Sequence, residues 1–203
     1  MDLTGKAQRV DARRVARYIP QHLEHTRSWL QRALLAGEAR NIAVRLKGEL
    51  ADFPFDTPRS TGLFRVAFQA QGVNLAYVPP ADGAPPTWPA FEGVNADVVF
   101  ERGGLEIDNG RARVLGYELS GVSGGIKDLQ HQRVLALDGQ GRGGGAELLH
   151  YVRASPLDEW LDHALSSTAA QGPVGLRLGL SIPLSATRAG ASISTARACS
   201  SPA

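Results

Sequence analysis

Residues 175–184 read Gly-Leu-Arg-Leu-Gly-Leu-Ser-Ile-Pro-Leu. Every second residue from Leu176 to Leu184 is aliphatic, and the residues between them are Arg, Gly, Ser and Pro. Side chains of a β-strand point alternately to the two faces of a sheet, so this spacing predicts a strand with one apolar and one polar face. The same plan recurs upstream, and its repetition decides the fold class.

Further strand segments run from about Asn41 to Asp138. They are Asn41–Leu50, Gly62–Ala70, Val73–Val78, Val94–Glu101, Leu105–Asp108, Arg111–Leu119, Gly121–Lys127 and Arg133–Gly139. Arg102-Gly103-Gly104 and Asp108-Asn109-Gly110 have the composition of tight turns. Strands joined by turns, without helices between them, indicate an antiparallel meander. We therefore expect a mainly β (α+β) fold, a long twisted antiparallel meander sheet that forms a groove.

Helices are expected on both sides of the strands, at about residues 12–36 and 146–170. Asp11 is a suitable N-cap for a helix at its start, and Ser155-Pro156 begins the last helix in the same way. The glycine-rich segment Gly139–Gly145 is predicted to be a flexible connector between the sheet and the second helical region.

The domain plan has three parts. Residues 1–10 are predicted to be a loop or the end of a preceding segment, and residues 11–185 a single β-groove module with flanking helices. Residues 186–203 are mostly Ala, Ser, Thr, Arg and Gly without a period, which predicts a disordered tail.

Charge and composition exclude several classes of protein. The net charge of +2 is too small to suggest a nucleic-acid partner, and no run approaches the roughly 20 apolar residues of a transmembrane helix. A signal peptide is not recognisable at the N-terminus, so we expect a cytoplasmic protein or a piece of a longer exported chain.

Residues 1–50 carry ten Lys and Arg against five Asp and Glu. The arginines in helical spacing indicate either a solvated helix face or contact with anionic lipid or an acidic partner: Arg13, Arg14, Arg17, Arg27 and Arg32.

Candidate catalytic and metal-binding motifs are weak. Gly121-Val122-Ser123-Gly124-Gly125 matches the G-x-S-x-G nucleophile elbow, but that elbow needs a strand before the serine and a helix after it. A glycine-rich turn or bulge between hairpin strands is the alternative interpretation. The five histidines lack metal-ligand spacing, and the single Cys199 excludes a multi-thiolate site. We predict no cofactor and no enzymatic activity.

An ordered set of segments identifies a family. Asp-Ala-Arg-Arg-Val-Ala-Arg-Tyr-Ile-Pro (11–20) is followed by Arg-Leu-Lys-Gly-Glu-Leu-Ala-Asp-Phe-Pro-Phe (45–55) and Trp-Pro-Ala-Phe-Glu-Gly-Val-Asn-Ala-Asp (88–97). Ser-Pro-Leu-Asp-Glu-Trp-Leu (155–161) and Gly-Pro-Val-Gly-Leu-Arg-Leu-Gly-Leu-Ser-Ile-Pro-Leu (172–184) come later. Together they resemble the middle region of the large YhdP-type, AsmA-like envelope proteins of Gram-negative bacteria, over roughly residues 8–185.

The resemblance implies a function. Members of this family are long, anchored in the inner membrane by an N-terminal helix and mostly periplasmic. They are thought to form a β-groove that carries phospholipid toward the outer membrane, without catalytic residues or metal. The implied partners are phospholipid acyl chains and neighbouring repeats of a longer parent chain.

This chain departs from the family pattern in length, in lacking the membrane anchor, and in the text after Leu184. We therefore expect a gene fragment with a shifted reading frame at residues 186–203.

Twelve residues are candidates for lining such a groove, because they lie on the apolar sides of the expected strands. They are Phe64, Val66, Phe68, Val73, Leu75, Tyr77, Val98, Phe100, Leu176, Leu178, Leu180 and Ile182. The alternative for each is packing under the helices in a closed core. Two other functions stay open: an envelope scaffold that binds protein, and a hydrolase that uses Ser123.

Overall fold

A computed structural model of the chain describes residues 1–19, 24–53, 55, 60–80, 84, 87–129, 132–183 and 197–198. Leu184, most of residues 186–203 and the predicted helix start at Pro20 lie outside these ranges, so those predictions are not tested.

The described residues form nine strands in one sheet, and each strand pairs with the next along the chain. The strands are β1 (Asp2–Asp11), β2 (Leu34–Lys47), β3 (Leu63–Leu75), β4 (Phe91–Glu101), β5 (Gly104–Val114), β6 (Tyr117–Asp128), β7 (Gln132–Gly144), β8 (Pro173–Pro183) and the two-residue β9 (Arg197–Ala198). Every pairing is antiparallel. The sheet is open, because β1 pairs only with β2 among the described strands. The predicted mainly β meander is confirmed.

The helices are short. A 3₁₀ helix covers Ala12–Tyr18 and a second one Leu50–Asp52, while α1 (Glu24–Ala33) precedes β2. The remaining helices are α2 (Gly145–Arg153) and α3 (Leu157–Trp160), between β7 and β8. The first predicted helical region therefore ends three residues early, because Leu34 already pairs with Leu75 of β3.

Two segments are mostly strand: residues 1–10, which the sequence predicts to be a loop or the end of a preceding segment, and Gly139–Gly145, which it predicts to be a flexible connector. Residues 2–11 form β1, where Leu3, Gly5 and Ala7 oppose Leu46, Val44 and Ile42 of β2. Gly5 and Ala7 are too small to give a visible apolar alternation, which is why the sequence indicated a loop. Gly139–Gly145 was predicted to be flexible, but β7 continues to Gly144 because each of its glycines pairs with a residue of β8.

One predicted turn is a bulge. Asp108-Asn109-Gly110 lies inside β5, where the pairing with β6 shifts between Ile107 and Gly110. Equivalent shifts occur in each strand pair from β2–β3 to β6–β7, and each contains an Asn or Gly with φ between 52° and 59°: Asn41, Gly72, Gly93, Asn109 and Gly121. A bulge bends its strand, so bulges in five adjacent strands are the means by which the meander curves.

Polar side chains connect the bulges on one face. The Asn41 Nδ2 donates to Gln69 Oε1 at 2.7 Å, and Gln69 Nε2 donates to Asp97 Oδ1 at 3.1 Å. Asn109 Nδ2 donates to the other carboxylate oxygen of Asp97 at 2.8 Å. These bonds join β2, β3, β4 and β5, and they lower the pKa of Asp97 because they stabilise its charged form, the bond from Asn109 most strongly.

Tyr117 fixes the other side of the sheet. Its ring lies over β7, where a Cβ atom on Gly141 or Gly143 would come within 2.4 Å of ring carbons. Its hydroxyl donates to the Val174 carbonyl oxygen of β8 at 3.1 Å. The ring is 2% exposed, and this burial raises the pKa of Tyr117. Gly141 and Gly143 of β7 therefore leave the space in which the ring of Tyr117 packs across the strand.

We expect Asp97→Asn to destabilise the protein at neutral pH and to have little effect in acid. Because the pKa of Asp97 is lower in the folded state, its carboxylate contributes stability above its unfolded pKa of about 4, and the contribution is lost as pH falls through the folded pKa. Denaturant unfolding of both proteins between pH 7 and pH 2.5 measures this. Glu106→Gln, an exposed position on β5, is the control and should show no comparable convergence; a difference for Asp97→Asn that persists in acid would contradict the account.

Gly141→Ala should lower the free energy of unfolding by about 1–3 kcal/mol, because the new methyl group would overlap the Tyr117 ring. Gly175→Ala is the matched control, because a Cβ atom there meets nothing within 4 Å. We expect that control to change stability by less than about 0.5 kcal/mol. If urea unfolding shows equal changes in the free energy of unfolding for the two substitutions, the ring of Tyr117 does not pack over Gly141.

Candidate functional site

The main candidate site is one apolar face of the sheet. A single line of directly paired positions crosses eight strands, from β1 to β8: Gly5, Val44, Val66, Phe100, Leu105, Ile126, Leu135 and Ile182. Directly paired residues point to the same face. Seven strand spacings make this row roughly 34 Å long.

A second row lies beside the first. It runs through Phe68, Val98, Ile107, Gly124, Leu137 and Leu180. The rings of Phe68 and Phe100 link the two rows, stacked with centroids 6.4 Å apart. We call the positions of these two rows the open apolar face.

The opposite side of the same strands is polar. Arg65 pairs with Glu101 at 2.7 Å, and Arg45 pairs with Asp2 at 3.5 Å. Both pairs join neighbouring strands at positions that alternate with the apolar rows. Because these ion pairs are largely exposed, they contribute little to stability, and their main effect is that this face of the sheet is polar and solvated.

Burial divides the apolar side into two parts. Side chains of the open apolar face such as Val44, Val66 and Phe68 are only half-buried, although Ile126 is 5% exposed. Near the helices, Val73 and Val114 are 7% and 5% exposed. We call this second part, with Tyr117, the covered zone. The helices α1, α2 and α3 therefore lie at one end of the strands. At the other end the ring centroid of Phe53, which follows the second 3₁₀ helix, lies 5.1 Å from that of Phe64, and most of the side chains between these two ends are half-buried.

The predicted lining residues fall into three groups. Eight lie on the apolar side and are half-buried: Phe64, Val66, Phe68, Val98, Phe100, Leu176, Leu178 and Leu180. The backbone of Ile182 pairs with Leu135 of β7, and its side chain is outside the description. Val73 and Leu75 belong to the end near the helices, and Tyr77 lies beyond the end of β3. Whether any of them contacts lipid stays a prediction.

The sequence interpretation missed half of the face. The additional residues are Ile42, Val44, Leu46, Leu105, Ile107, Ile126, Leu135 and Leu137. A usable pattern was present, because Val44 and Leu46 alternate with Arg45 and Lys47. The strands were recognised, but only register shows that their apolar residues continue the same rows.

An aromatic cluster lies against the covered zone. Tyr77 stacks on Phe91 with ring centroids 4.9 Å apart, and Trp88 is 5.9 Å from Tyr77. The hydroxyl groups of Tyr77 and Tyr151 form a hydrogen bond of 3.1 Å. Burial is the largest cause of a raised pKa for both Tyr77 and Tyr151. Trp160 extends the cluster, 5.8 Å from Trp88.

The catalytic alternative lacks its structural context. Ser123 lies in the middle of β6, which continues to Asp128, so no helix follows the serine as the nucleophile elbow requires. Its flanking Gly124 packs against Ala136 and Leu137 of β7. The described residues contain no group of three or more His, Cys, Asp or Glu side chains placed to hold a metal ion.

The basic N-terminal segment is partly neutralised. Glu38 binds both Arg9 and Arg40, and Arg13 binds Asp11 at 3.0 Å. The bond from Arg13 lowers the pKa of Asp11. Arg14 and Arg17 are exposed on the first 3₁₀ helix, which fits a solvated face. Among the described helices, none combines the length and the apolar character needed to cross a bilayer.

Comparison with known proteins points to one family. The family model described as YhdP protein matches residues 1–195. A curated relative, the intermembrane phospholipid transporter YhdP of Escherichia coli (strain K12), is 26% identical over 176 residues. That alignment covers 86% of this chain and 13% of the relative, so the chain spans about one eighth of the relative's length. No solved structure matches this chain.

The partial exposure of the apolar face has a testable effect on stability. We expect the Phe68→Asp variant to remain folded. Its free energy of unfolding should fall by only about 1–2 kcal/mol, because a half-buried carboxylate keeps contact with water. Ile126→Asp should abolish the cooperative transition, because it buries an unpaired charge. Circular dichroism during urea unfolding distinguishes them; loss of folding in both variants would indicate a closed core.

Proposed function

The chain belongs to the YhdP family, and on that basis we propose that it is a segment of a non-enzymatic conduit whose open apolar face binds the acyl chains of phospholipids. The proposal extends to the setting of the parent protein, which would hold this segment in the periplasm and pass lipid between the inner and outer membranes. The named activity of the E. coli relative supports this proposal.

The single observation that carries the proposal is the pair of apolar rows, whose described side chains are only half-buried apart from Ile126. Each methylene group removed from water contributes about 0.8 kcal/mol, so a hydrocarbon chain on these rows is stabilised without any polar contact. Large exposed apolar patches on folded proteins mark binding surfaces. Here the patch is continuous across eight strands, and the polar side of the same strands faces away.

The arrangement suits movement as well as binding. Successive positions of the row through Val66 are all apolar or glycine, so an acyl chain that shifts from one strand to the next meets no charged side chain. The ion pairs Arg65–Glu101 and Arg45–Asp2 lie on the other face and offer no partner for a headgroup there. A phosphate group would therefore stay in water at the margin of the sheet.

A scaffold that binds protein is the second candidate, and β1 is the observation that favours it. This ten-residue strand has one strand neighbour in the described part of the chain, and no described strand pairs with its other edge. An edge of this kind accepts a strand from another protein.

Native mass spectrometry of the gently purified chain separates the two functions. We expect co-purifying phospholipid, and we expect Phe68→Asp to reduce the bound fraction about tenfold, because a carboxylate on the row loses several methylene contacts. Ala43→Asp is the matched control: it places the same charge on an exposed position of the polar face, beside Lys6 of β1.

The control should retain lipid at the level of the unmodified chain. An unmodified chain that carries no lipid and takes up none from added phosphatidylethanolamine and phosphatidylglycerol would contradict the conduit and favour the scaffold. Equal loss in both variants would show that charge, and not the apolar face, governs retention.

A further inference from the structure

We infer that residues 145–172, which contain α2 and α3, form a strap that closes the apolar side at one end of the strands and confines bound hydrocarbon to the open apolar face. This inference rests on the proposed function, and it adds a boundary to the binding surface. Tyr151 and Trp160 are the residues assigned to hold the strap in place.

The path of the strap is the first reason. It leaves the sheet after β7 and returns at β8, yet its side chains contact Tyr77 and Trp88 in the connection between β3 and β4. Tyr151 of α2 bonds to Tyr77 at 3.1 Å, and Trp160 of α3 meets Trp88 at 5.8 Å. Strands β5 and β6 lie between these two regions in the sheet order, so the strap crosses over both.

The side of the sheet is the second reason. Phe91 pairs with Leu75 of β3, two residues beyond Val73 on the apolar side, and Tyr77 stacks on Phe91. At the turn between β5 and β6, a Cβ atom on Gly116 would lie 3.2 Å from Glu147 Cγ of α2. The strap therefore runs above the covered zone, where Val114 is 5% exposed.

Hydrogen bonds within the strap hold it in one conformation. Its two ends are joined where the Gly145 amide donates to the Gly172 carbonyl oxygen at 3.0 Å. The Arg153 guanidinium donates to the carbonyl oxygens of Leu165, at 2.9 Å, and Thr168. Arg153 thereby ties the segment after α3 to α2.

The hydrogen bond between Tyr77 and Tyr151 is suited to an apolar environment. The hydroxyl groups of Tyr77 and Tyr151 share one hydrogen bond, so each has a polar partner within the protein when hydrocarbon lies nearby. Trp29 of α1 holds the strap's partner in place, because its indole Nε1 donates to the Tyr77 carbonyl oxygen at 3.3 Å. An acyl chain on the open apolar face is thus stopped where the strap begins.

Thiol accessibility tests the strap directly. In a Cys199→Ser background, Val66→Cys reports the open apolar face and Val114→Cys reports the covered zone. We expect N-ethylmaleimide to modify Val66→Cys at least about tenfold faster than Val114→Cys, because only local opening exposes the second site. Adding Tyr151→Ala should raise the Val114→Cys rate about tenfold and leave the Val66→Cys rate unchanged.

Two variants keep this test decisive. His150→Ala, an exposed neighbour on α2, is the control and should change neither rate. Trp160→Ala removes the second attachment at a half-exposed site and should raise the Val114→Cys rate if Tyr151→Ala does not fold. Equal rates at the two cysteines in the strap-intact protein, or no response of Val114→Cys to either strap substitution, would overturn the inference.

A second reagent separates this inference from the function on which it rests. A decyl methanethiosulfonate should prefer Val66→Cys over Ala43→Cys on the polar face by more than N-ethylmaleimide does. Absence of that preference would refute hydrocarbon binding, whereas the difference between Val66→Cys and Val114→Cys with N-ethylmaleimide would still report the strap.

Discussion

Register is the constraint on which the rest of the structure depends. Side chains alternate with a period of two, so a slip of one residue in any strand pair would turn its apolar residues to the polar face. Eight strands nevertheless keep one row of apolar or glycine positions in line, from Gly5 to Ile182. The five bulges occur strand after strand, and beyond each bulge the apolar positions face the same side again. The Asn41–Gln69–Asp97–Asn109 hydrogen bonds hold four of these strands at the bulges.

The apolar side is larger than the helices can cover, and this imbalance gives the chain its functional character. Two short helices and a turn-rich segment cover the covered zone, where Val73, Val114 and Tyr117 form much of the core. The side chains of the open apolar face are half-buried mainly by the neighbouring side chains of adjacent strands. A surface of this kind is an aggregation hazard unless a ligand or another segment occupies it. The proposed conduit for acyl chains would use that property. The curated relative from E. coli is about eight times longer than the segment that this chain matches.

Alternation is a local property, and the sequence predicts β3, β4 and β8 from it, whereas the predicted strand Arg111–Leu119 spans the turn between β5 and β6. Leu176, Leu178 and Leu180 on β8, like Phe64, Val66 and Phe68 on β3, could be assigned to one face without any knowledge of neighbours. Gly5 and Ala7 carry too little side chain for a visible pattern, so for the residues of β1 the sequence predicts only a loop or the end of a preceding segment. The glycines of β7 resembled a flexible linker because the reason for them is Tyr117, some twenty-five residues earlier. Contacts such as Tyr77–Tyr151 join residues 74 positions apart and are beyond any local pattern.

The account is tested most directly by nuclear Overhauser effects between a phospholipid and the methyl groups of this chain. Val66, Leu105 and Leu135 lie on one apolar row in three different strands, whereas Val99 lies on the polar face of β4. We predict contacts from acyl-chain protons to the first three methyl sets and none to Val99. Contacts to Val99 as strong as those to the row, or no acyl contacts to any row residue in a lipid-loaded sample, would contradict the claim that the apolar face holds hydrocarbon.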